Sequence, residues 1–212
     1  MTDSLILYSN PMSRGRIARW MLEEVGRPYE VRYLDYGAAM KAPEYLAINP
    51  MGKVPALVHG PRVVTEYAAI CAYLADAFPE AGLAPADRSA YYRWLFFGAG
   101  PLEAAVILKA LGLEVPEERR RMVGFGPLSG ALDALETQLA RTPYLAGDAF
   151  SAADVATGSQ IGWGLRFGTI EPRPALRAYW DRISARPALR RATDADNAAM
   201  PPKPAEPEGG KP

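Results

Sequence analysis

Residues 49–70, NPMGKVPALVHGPRVVTEYAAI, constrain this chain more than any other stretch of it. Asn49-Pro50 and Gly52 make a loop, and Val54-Pro55 stands just before the apolar run Ala56-Leu57-Val58. A proline entering a strand removes a backbone donor and pushes the preceding residue toward an extended conformation. Pro55 is therefore a candidate for a cis peptide bond in a turn. His59-Gly60-Pro61-Arg62 supplies turn chemistry, and Val63-Val64 predicts a second strand. Thr65 can cap a following helix, with Glu66 in the first turn, where the positive dipole end favours negative charge. The segment reads as strand, turn, strand, helix.

Upstream, Leu5-Ile6-Leu7-Tyr8 suits a buried strand that ends at Ser9-Asn10-Pro11. A helix pattern begins near Ser13: Ile17, Trp20, Met21 and Val25 recur at helical spacing, and Gly26 sits at a C-terminal cap position. Tyr29 to Leu34 alternates as a second strand, and Ala38 to Ile48 reads as loop with a short irregular helix around Pro43 to Leu46. After the hairpin, Ala69, Ile70, Tyr73, Leu74 and Ala77 form the predicted apolar face of the helix. The order β-α-β-(α)-β-β-α is that of a thioredoxin-like fold, with parallel strands joined through a crossover helix and an antiparallel hairpin added. It occupies residues 1–79, and residues 80–87, rich in proline and glycine, form a linker.

Strand signals vanish beyond the linker, and residues 88–200 read as an all-α domain. Arg88 to Leu111 is helical, with a kink expected at Gly98 and Gly100-Pro101. Glu117 to Arg121 starts a charged helix that Gly124, Gly126 and Pro127 disturb; Leu128, Leu132, Leu135 and Leu139 then give a clean stripe, with a bend or restart at Pro127. Ser151 and Asp154 have capping-box spacing, with Phe150 and Val155 at the staple positions. Leu176, Tyr179, Trp180 and Ile183 make a last helical face before Arg186-Pro187-Ala188-Leu189. Residues 201–212 carry no apolar core residue and are expected to be disordered.

Lysine plus arginine equals aspartate plus glutamate at 24 each, so no basic excess argues for nucleic acid. Cys71 is the only cysteine and His59 the only histidine. A disulfide within the chain and Cys- or His-based metal sites are thereby excluded, and no metal is expected. The start of the chain has no charged leader, and no uninterrupted apolar run reaches the length of a membrane span, which makes cytoplasmic localisation the expectation.

Two strings carry a resemblance. Gly52-Lys53-Val54-Pro55, the hairpin, Thr65-Glu66 and the helix resemble the glutathione-binding segment of the glutathione S-transferase superfamily. Tyr144 to Val155, YLAGDAFSAADV, resembles the capping motif of that family's helical domain. Asn10-Pro11-Met12-Ser13-Arg14 resembles the serine-type phi, tau and theta-like members. The resemblance covers roughly residues 5–192 and implies a thioredoxin-like domain plus an all-α domain, glutathione as co-substrate, a small hydrophobic electrophile and a homodimer.

By that resemblance Ser13 is the catalytic residue facing the glutathione sulfur, and a hydroxyl at a helix start does suit a thiolate. The alternative for Ser13 is a plain helix cap, and Ser9 and Tyr8 are nearby substitutes. Lys41 and Lys53 are placed near the glycine carboxylate of glutathione, or are ordinary exposed lysines. Val54 and Pro55 supply backbone pairing with the cysteinyl unit, and Glu66 takes the α-amino group. Glu66-Tyr67 departs from the family's common Glu-Ser, so Thr65 or the Tyr67 backbone N–H must serve the γ-glutamyl carboxylate. Cys71 is expected in the core and His59 at the surface. Tyr92, Trp94, Phe96, Phe97, Trp163 and Phe167 are expected mostly in the core, with a minority lining a second pocket. Rival readings keep glutathione with another reaction (isomerase, dehalogenase, lyase or peroxidase), or make the chain a non-catalytic binding protein.

Overall fold

Alternate burial along the first strand sets the sheet in place. In the computed structural model, which describes residues 4–201, β1 (Leu5–Ser9) turns Leu5, Leu7 and Ser9 into the core and leaves Ile6 and Tyr8 half covered. β2 (Glu30–Tyr33) lies parallel to β1, β3 (Ala56–His59) antiparallel to it, and β4 (Arg62–Thr65) antiparallel to β3, in the order β2-β1-β3-β4. The parallel pair needs a crossover, which α1 (Gly15–Val25) supplies. Ile17, Ala18, Trp20, Met21 and Leu22 of α1 are buried, and Gly26 ends the helix at φ 71°, its N–H bonded to the Leu22 carbonyl.

The ambiguous stretch before β3 holds two single-turn helices, α2 (Ala38–Lys41) and α3 (Pro43–Leu46). They bring Met40 and Tyr45 against Ala56, Tyr8, Ile48 and Val54 in a small second core. After the hairpin comes α4 (Tyr67–Ala77), whose buried residues are Tyr67, Ala68, Ile70, Cys71, Leu74 and Ala75. Ala69 and Ala77, expected on its apolar face, are exposed. The buried arc is rotated because α4 is packed by α1 on one flank and by the helical half on the other.

The helical half begins with one continuous helix over Ser89–Leu111. It comprises α5 (Ser89–Phe97), a π-helical turn at Gly98–Leu102 and α6 (Glu103–Leu111). The expected kink is thus a widened turn, which accommodates the missing N–H of Pro101 without breaking the helix. At 23 residues this helix is long and apolar enough to cross a membrane by length and composition, although Arg93, Glu103 and Lys109 interrupt its apolar run. Its Tyr91, Trp94, Leu95 and Leu102 nevertheless belong to the protein core. A 3-10 segment at Glu117–Met122 follows, and α7 (Leu128–Leu139) restarts directly after Pro127.

α8 (Ala152–Phe167) runs through the middle of this half, with twelve of its sixteen residues buried. Helices approach it closely where side chains are small. A Cβ on Gly98 would stand 2.1 Å from Thr157 Oγ1, and Thr157 uses that proximity to donate to the Trp94 carbonyl at 2.6 Å. The reciprocal capping box of Ser151 and Asp154 is present. Asp154 also accepts from the Leu145 N–H at 2.9 Å and the Tyr179 hydroxyl at 2.8 Å, so one carboxylate ties the helix start to the preceding loop and to α9 (Pro174–Ser184). Burial pushes its carboxyl above the ordinary range even against the Leu145 and Ser151 N–H groups and the Tyr179 and Ser151 hydroxyls.

The Arg186-Pro187 turn starts a further helix, α10 (Pro187–Ala198), which returns to α1. Arg186 makes two bonds to Glu24 at 2.6 and 2.7 Å, and Arg191 reaches Glu23 at 2.7 Å. Apart from Pro201, the disorder expected over 201–212 lies outside the described residues.

Candidate functional site

Strand register brings the separate parts of the site to one edge of the sheet. Ala56 is paired with Tyr8 of β1 on one side and with Thr65 of β4 on the other. One residue further along each strand, the same edge presents Ser9 and the loop to Ser13, the Val54-Pro55 bond, and Glu66 at the start of α4. The Val54-Pro55 peptide bond is cis, as its position before a strand suggested. The carbonyl of Lys53 is held from behind by the Tyr45 hydroxyl at 2.5 Å and the Asn49 amide at 2.8 Å. The backbone on either side of Val54 is therefore anchored before any ligand arrives.

Ser13 precedes α1. Its hydroxyl donates to the Asn10 carbonyl at 2.7 Å and accepts from the Gly15 N–H at 2.9 Å. It therefore fulfils the capping role, and its half-covered position leaves it reachable from the edge. Ser9 is fully buried, and its Oγ has no hydrogen-bond partner. Tyr8 points to the opposite face of the sheet, where its hydroxyl accepts from Arg32 at 3.0 Å and its ring meets Tyr45.

Lys41 is exposed, and its ammonium donates to the Met51 carbonyl at 2.8 Å, lying over the turn that leads to Gly52. The Lys53 side chain is exposed on the following loop. Thr65 does not cap the helix as expected: it is the last residue of β4, and Glu66 occupies the cap position. Glu66 is exposed and has φ 65°, the single positive φ outside glycine among the described residues. A non-glycine residue held there stores about 1–3 kcal/mol of strain, and such strain concentrates at ligand sites. Beyond it, the first N–H groups of α4 have no carbonyl within the helix to bond, and the dipole end there favours an anion.

Tyr67 behaves differently from the rest. Its backbone N–H lies at this helix start, but its side chain is buried and turned into the helical half. There its hydroxyl accepts from Gln160 of α8 at 3.0 Å, and Gln160 also reaches Glu103 of α6 at 3.4 Å. Glu103 in turn pairs with Arg14, the residue after Ser13. Burial and the neighbouring Glu103 carboxylate raise the Tyr67 phenol well above its ordinary range, so it stays neutral. Arg14, Glu103 and Gln160 join the starts of α1 and α4 from behind. No motif marks Glu103 or Gln160 in the sequence.

Cys71 is fully buried, and burial raises its thiol out of the reactive range. His59 is half-buried and not at the surface, because the Tyr73 hydroxyl lies 2.7 Å from Nδ1 and Phe78 flanks its ring. Of the aromatic set, Trp94 is core, Phe97 and Trp163 are half-buried, and Tyr92, Phe96 and Phe167 are exposed. A cavity of about 410 Å³ lies in the helical half and one of about 420 Å³ lies between that half and α1, and Ser13, Val54, Pro55 and Glu66 line neither of them.

The arrangement resembles known proteins over nearly its whole length. The model of the glutathione S-transferase N-terminal domain matches residues 3–76, and that of the C-terminal domain matches residues 105–187. A curated relative, glutathione S-transferase 3 of Zea mays, is 34% identical over 94% of this chain and 97% of its own. A glutathione transferase from Methylococcus capsulatus is 32% identical at a TM-score of 0.74, covering 92% of this chain and 99% of the other. A sphingomonad glutathione S-transferase complexed with glutathione is 30% identical at the same TM-score, covering 91% and 98%. With two family models in chain order and a thioredoxin-like sheet carrying its cis-proline beside an all-α half, the chain belongs to the glutathione S-transferase family of enzymes.

Proposed function

We propose that the chain binds glutathione along the sheet edge and conjugates its thiolate to a small hydrophobic electrophile held against the helical half. The observation that carries this reading is the shared register of Tyr8, Ala56 and Thr65. It sets a hydroxyl at one helix start, an anchored extended backbone and an acid at a second helix start side by side. In this reading Val54, beside Pro55, pairs its backbone with the cysteinyl unit, and Lys41 and Lys53 neutralise the glycine carboxylate. Glu66 takes the α-amino group, while the Tyr67 N–H and the Thr65 hydroxyl receive the γ-glutamyl carboxylate.

Ser13 then exchanges its bond to the Asn10 carbonyl for one to sulfur. A charge-assisted bond is roughly twice as strong as the neutral one given up, so the exchange favours the thiolate. A free thiol has a pKa near 8.5, and each unit of lowering takes about 1.36 kcal/mol. The thiol proton is released to solvent, and the thiolate sulfur forms a bond to the electrophilic carbon. A leaving group departs with the pair of the broken bond, or, in an addition, that pair moves onto the neighbouring atom, which takes a proton from water. Holding both reactants together supplies much of the rate.

The reading includes a division into residues 1–79 and 88–200 with a linker at 80–87, a homodimer, and cytoplasmic localisation. The exposed Tyr92 and Phe96 rings, 6.5 Å apart, support self-association. A lone buried thiol is compatible with a reducing compartment. The test is calorimetry with glutathione, followed by ultraviolet titration of the bound thiolate. Binding in the micromolar to millimolar range and a thiol pKa raised by at least one unit in Ser13→Ala are expected. No heat of binding removes the proposal, and an unchanged titration removes the role of Ser13.

A further inference from the structure

The strand order β2-β1-β3-β4 sets the parts of the site in a line across the sheet edge. Glu66 follows β4, the Val54-Pro55 bond leads into β3, and Ser13 lies beyond β1. The chain leaving β2 completes the line, on the far side of Ser13 from Glu66. This fourth segment is pinned to the loop before α1. The Leu34 N–H donates to the Ser9 carbonyl at 2.9 Å, and the Asn10 side-chain amide donates to the Leu34 carbonyl at 2.9 Å. Two residues further on, the Tyr36 hydroxyl donates at 3.1 Å to the carbonyl of Met12, the residue before Ser13.

Tyr36 and Met12 are both exposed. Across from them passes α6, whose Glu103 holds Arg14, the residue after Ser13. Met12 and Tyr36 therefore bound one side of a corner and the helical half bounds the other, with Ser13 between this corner and the Val54, Pro55 and Glu66 positions. An electrophile joined to a sulfur at Ser13 fits this corner without displacing the rest of glutathione.

The neighbouring polar groups are already committed. Ser9 is buried, the Tyr8 hydroxyl accepts from Arg32 on the opposite face, and the Tyr33 hydroxyl accepts from Arg19 at 2.7 Å. Arg14 is held by Glu103. The Tyr36 proton goes to a backbone carbonyl on an exposed turn, and water can serve that carbonyl in its place. Its hydroxyl is thus free to turn to an oxygen of the electrophile.

We propose that Tyr36 is a further catalytic residue, the proton donor for electrophiles that take sulfur by addition, and that conjugated enones are the substrate class it serves. This role rests on glutathione binding with its sulfur at Ser13, as proposed above. The thiolate sulfur bonds to the β-carbon of the enone, the double-bond pair shifts toward the carbonyl carbon, and the carbonyl pair moves onto oxygen. That oxygen lies three bonds from the carbon attacked and takes the Tyr36 proton. Water returns a proton to the phenolate, and the enol relaxes to the ketone. A positioned acid of this kind contributes about 10²–10⁴-fold. Substitution at an aryl halide needs no such donor, because the halide carries the electron pair away.

The test compares trans-4-phenylbut-3-en-2-one with 1-chloro-2,4-dinitrobenzene, on wild type and on Tyr36→Phe, which keeps the ring and removes only the hydroxyl. The ratio of kcat/KM for the enone to that for the chloroarene should fall at least tenfold in the variant, with the loss in kcat. A merely structural role, acting through the Met12 turn on Ser13, would lower both activities alike, and an unchanged ratio would overturn the proposal. Wild type alone gives a second readout. Its solvent deuterium isotope effect should be larger with the enone than with the chloroarene, and equal effects would overturn the role of Tyr36. A chain that binds glutathione and turns over the chloroarene but no enone removes this proposal and leaves conjugation standing. A chain that binds no glutathione removes both.

Discussion

Gln160 Nε2 donates to the Tyr67 hydroxyl at 3.0 Å, so the residue that replaces the family's common serine faces the helical half and not the ligand edge. The departure from Glu-Ser is thereby explained by packing. A serine here could not span to α8, and Glu103 and Gln160 would face each other across a void.

Substitution at this position follows from that geometry. Tyr67→Phe keeps the ring and removes the nearer of the two acceptors of Gln160 Nε2, at a cost of about 1–3 kcal/mol. Tyr67→Ser also opens a cavity, and aromatic truncations of this kind cost about 3–5 kcal/mol. Urea unfolding should place the two in that order. Equal midpoints for wild type and both variants would show that the buried contact contributes nothing.

Glu66 offers a separation of fold from function. At φ 65° glycine is at ease and alanine is not, so Glu66→Gly should be more stable than Glu66→Ala by about 1 kcal/mol. This reverses the order found at ordinary helix positions, where glycine is the worse by a similar amount. Both variants should lose glutathione affinity at least tenfold. Thermal melts and calorimetry on the pair check the two halves independently.

The cap of α8 should be among the most sensitive points of the helical half. Ser151→Ala removes a cap and costs ~1 kcal/mol. Asp154→Ala strands the Leu145 and Ser151 N–H groups and the Tyr179 hydroxyl at once, for about 3–5 kcal/mol or loss of the folded chain. Chemical denaturation of both variants gives the comparison. An Asp154→Ala chain as stable as Ser151→Ala would refute it.

Stability should rise on mild acidification through Asp196. Burial pushes this carboxyl up to about 6, outweighing the pull of Arg19 and Arg16 in the other direction. In the unfolded chain it titrates near 3.9. Between those values the folded chain holds a proton that the unfolded chain releases, so folding is favoured as pH falls. The gain is complete below about 4 and is lost as pH rises through about 6. Two units correspond to about 3 kcal/mol at most. Urea midpoints at pH 4.5 and 7.5 should show this trend in wild type and a flatter one in Asp196→Asn. Parallel trends would assign the pH response elsewhere.

Much of the N-terminal half was legible because its signals are local. Alternation in Leu5–Tyr8, the turn at His59–Arg62 and the proline at 55 each act on their own neighbours. Ser151 and Asp154 announce their helix in the same way. Tyr67 was not legible, because a side chain's direction depends on helix phase and on what packs from a distant segment. Thr65 and Glu66 exchanged roles for a related reason: β4 runs one residue further than its apolar pair suggests, since Thr65 still pairs with Ala56. α10 escaped as well. Its contact with α1 uses Ala188, Ala192 and a buried Asp196 in place of a leucine stripe, and its arginines find acids more than 150 residues away.

That last helix has a consequence for how the chain is made. α1 is complete once residue 25 has been synthesised, yet the flank of it that meets α10 finds its cover only among residues 187–198. Throughout translation the first helix carries Glu23, Glu24 and the buried Arg19 without their arginine and aspartate counterparts. The N-terminal unit therefore emerges first and closes last, and a nascent chain halted anywhere before α10 presents an open flank to whatever binds unfinished proteins.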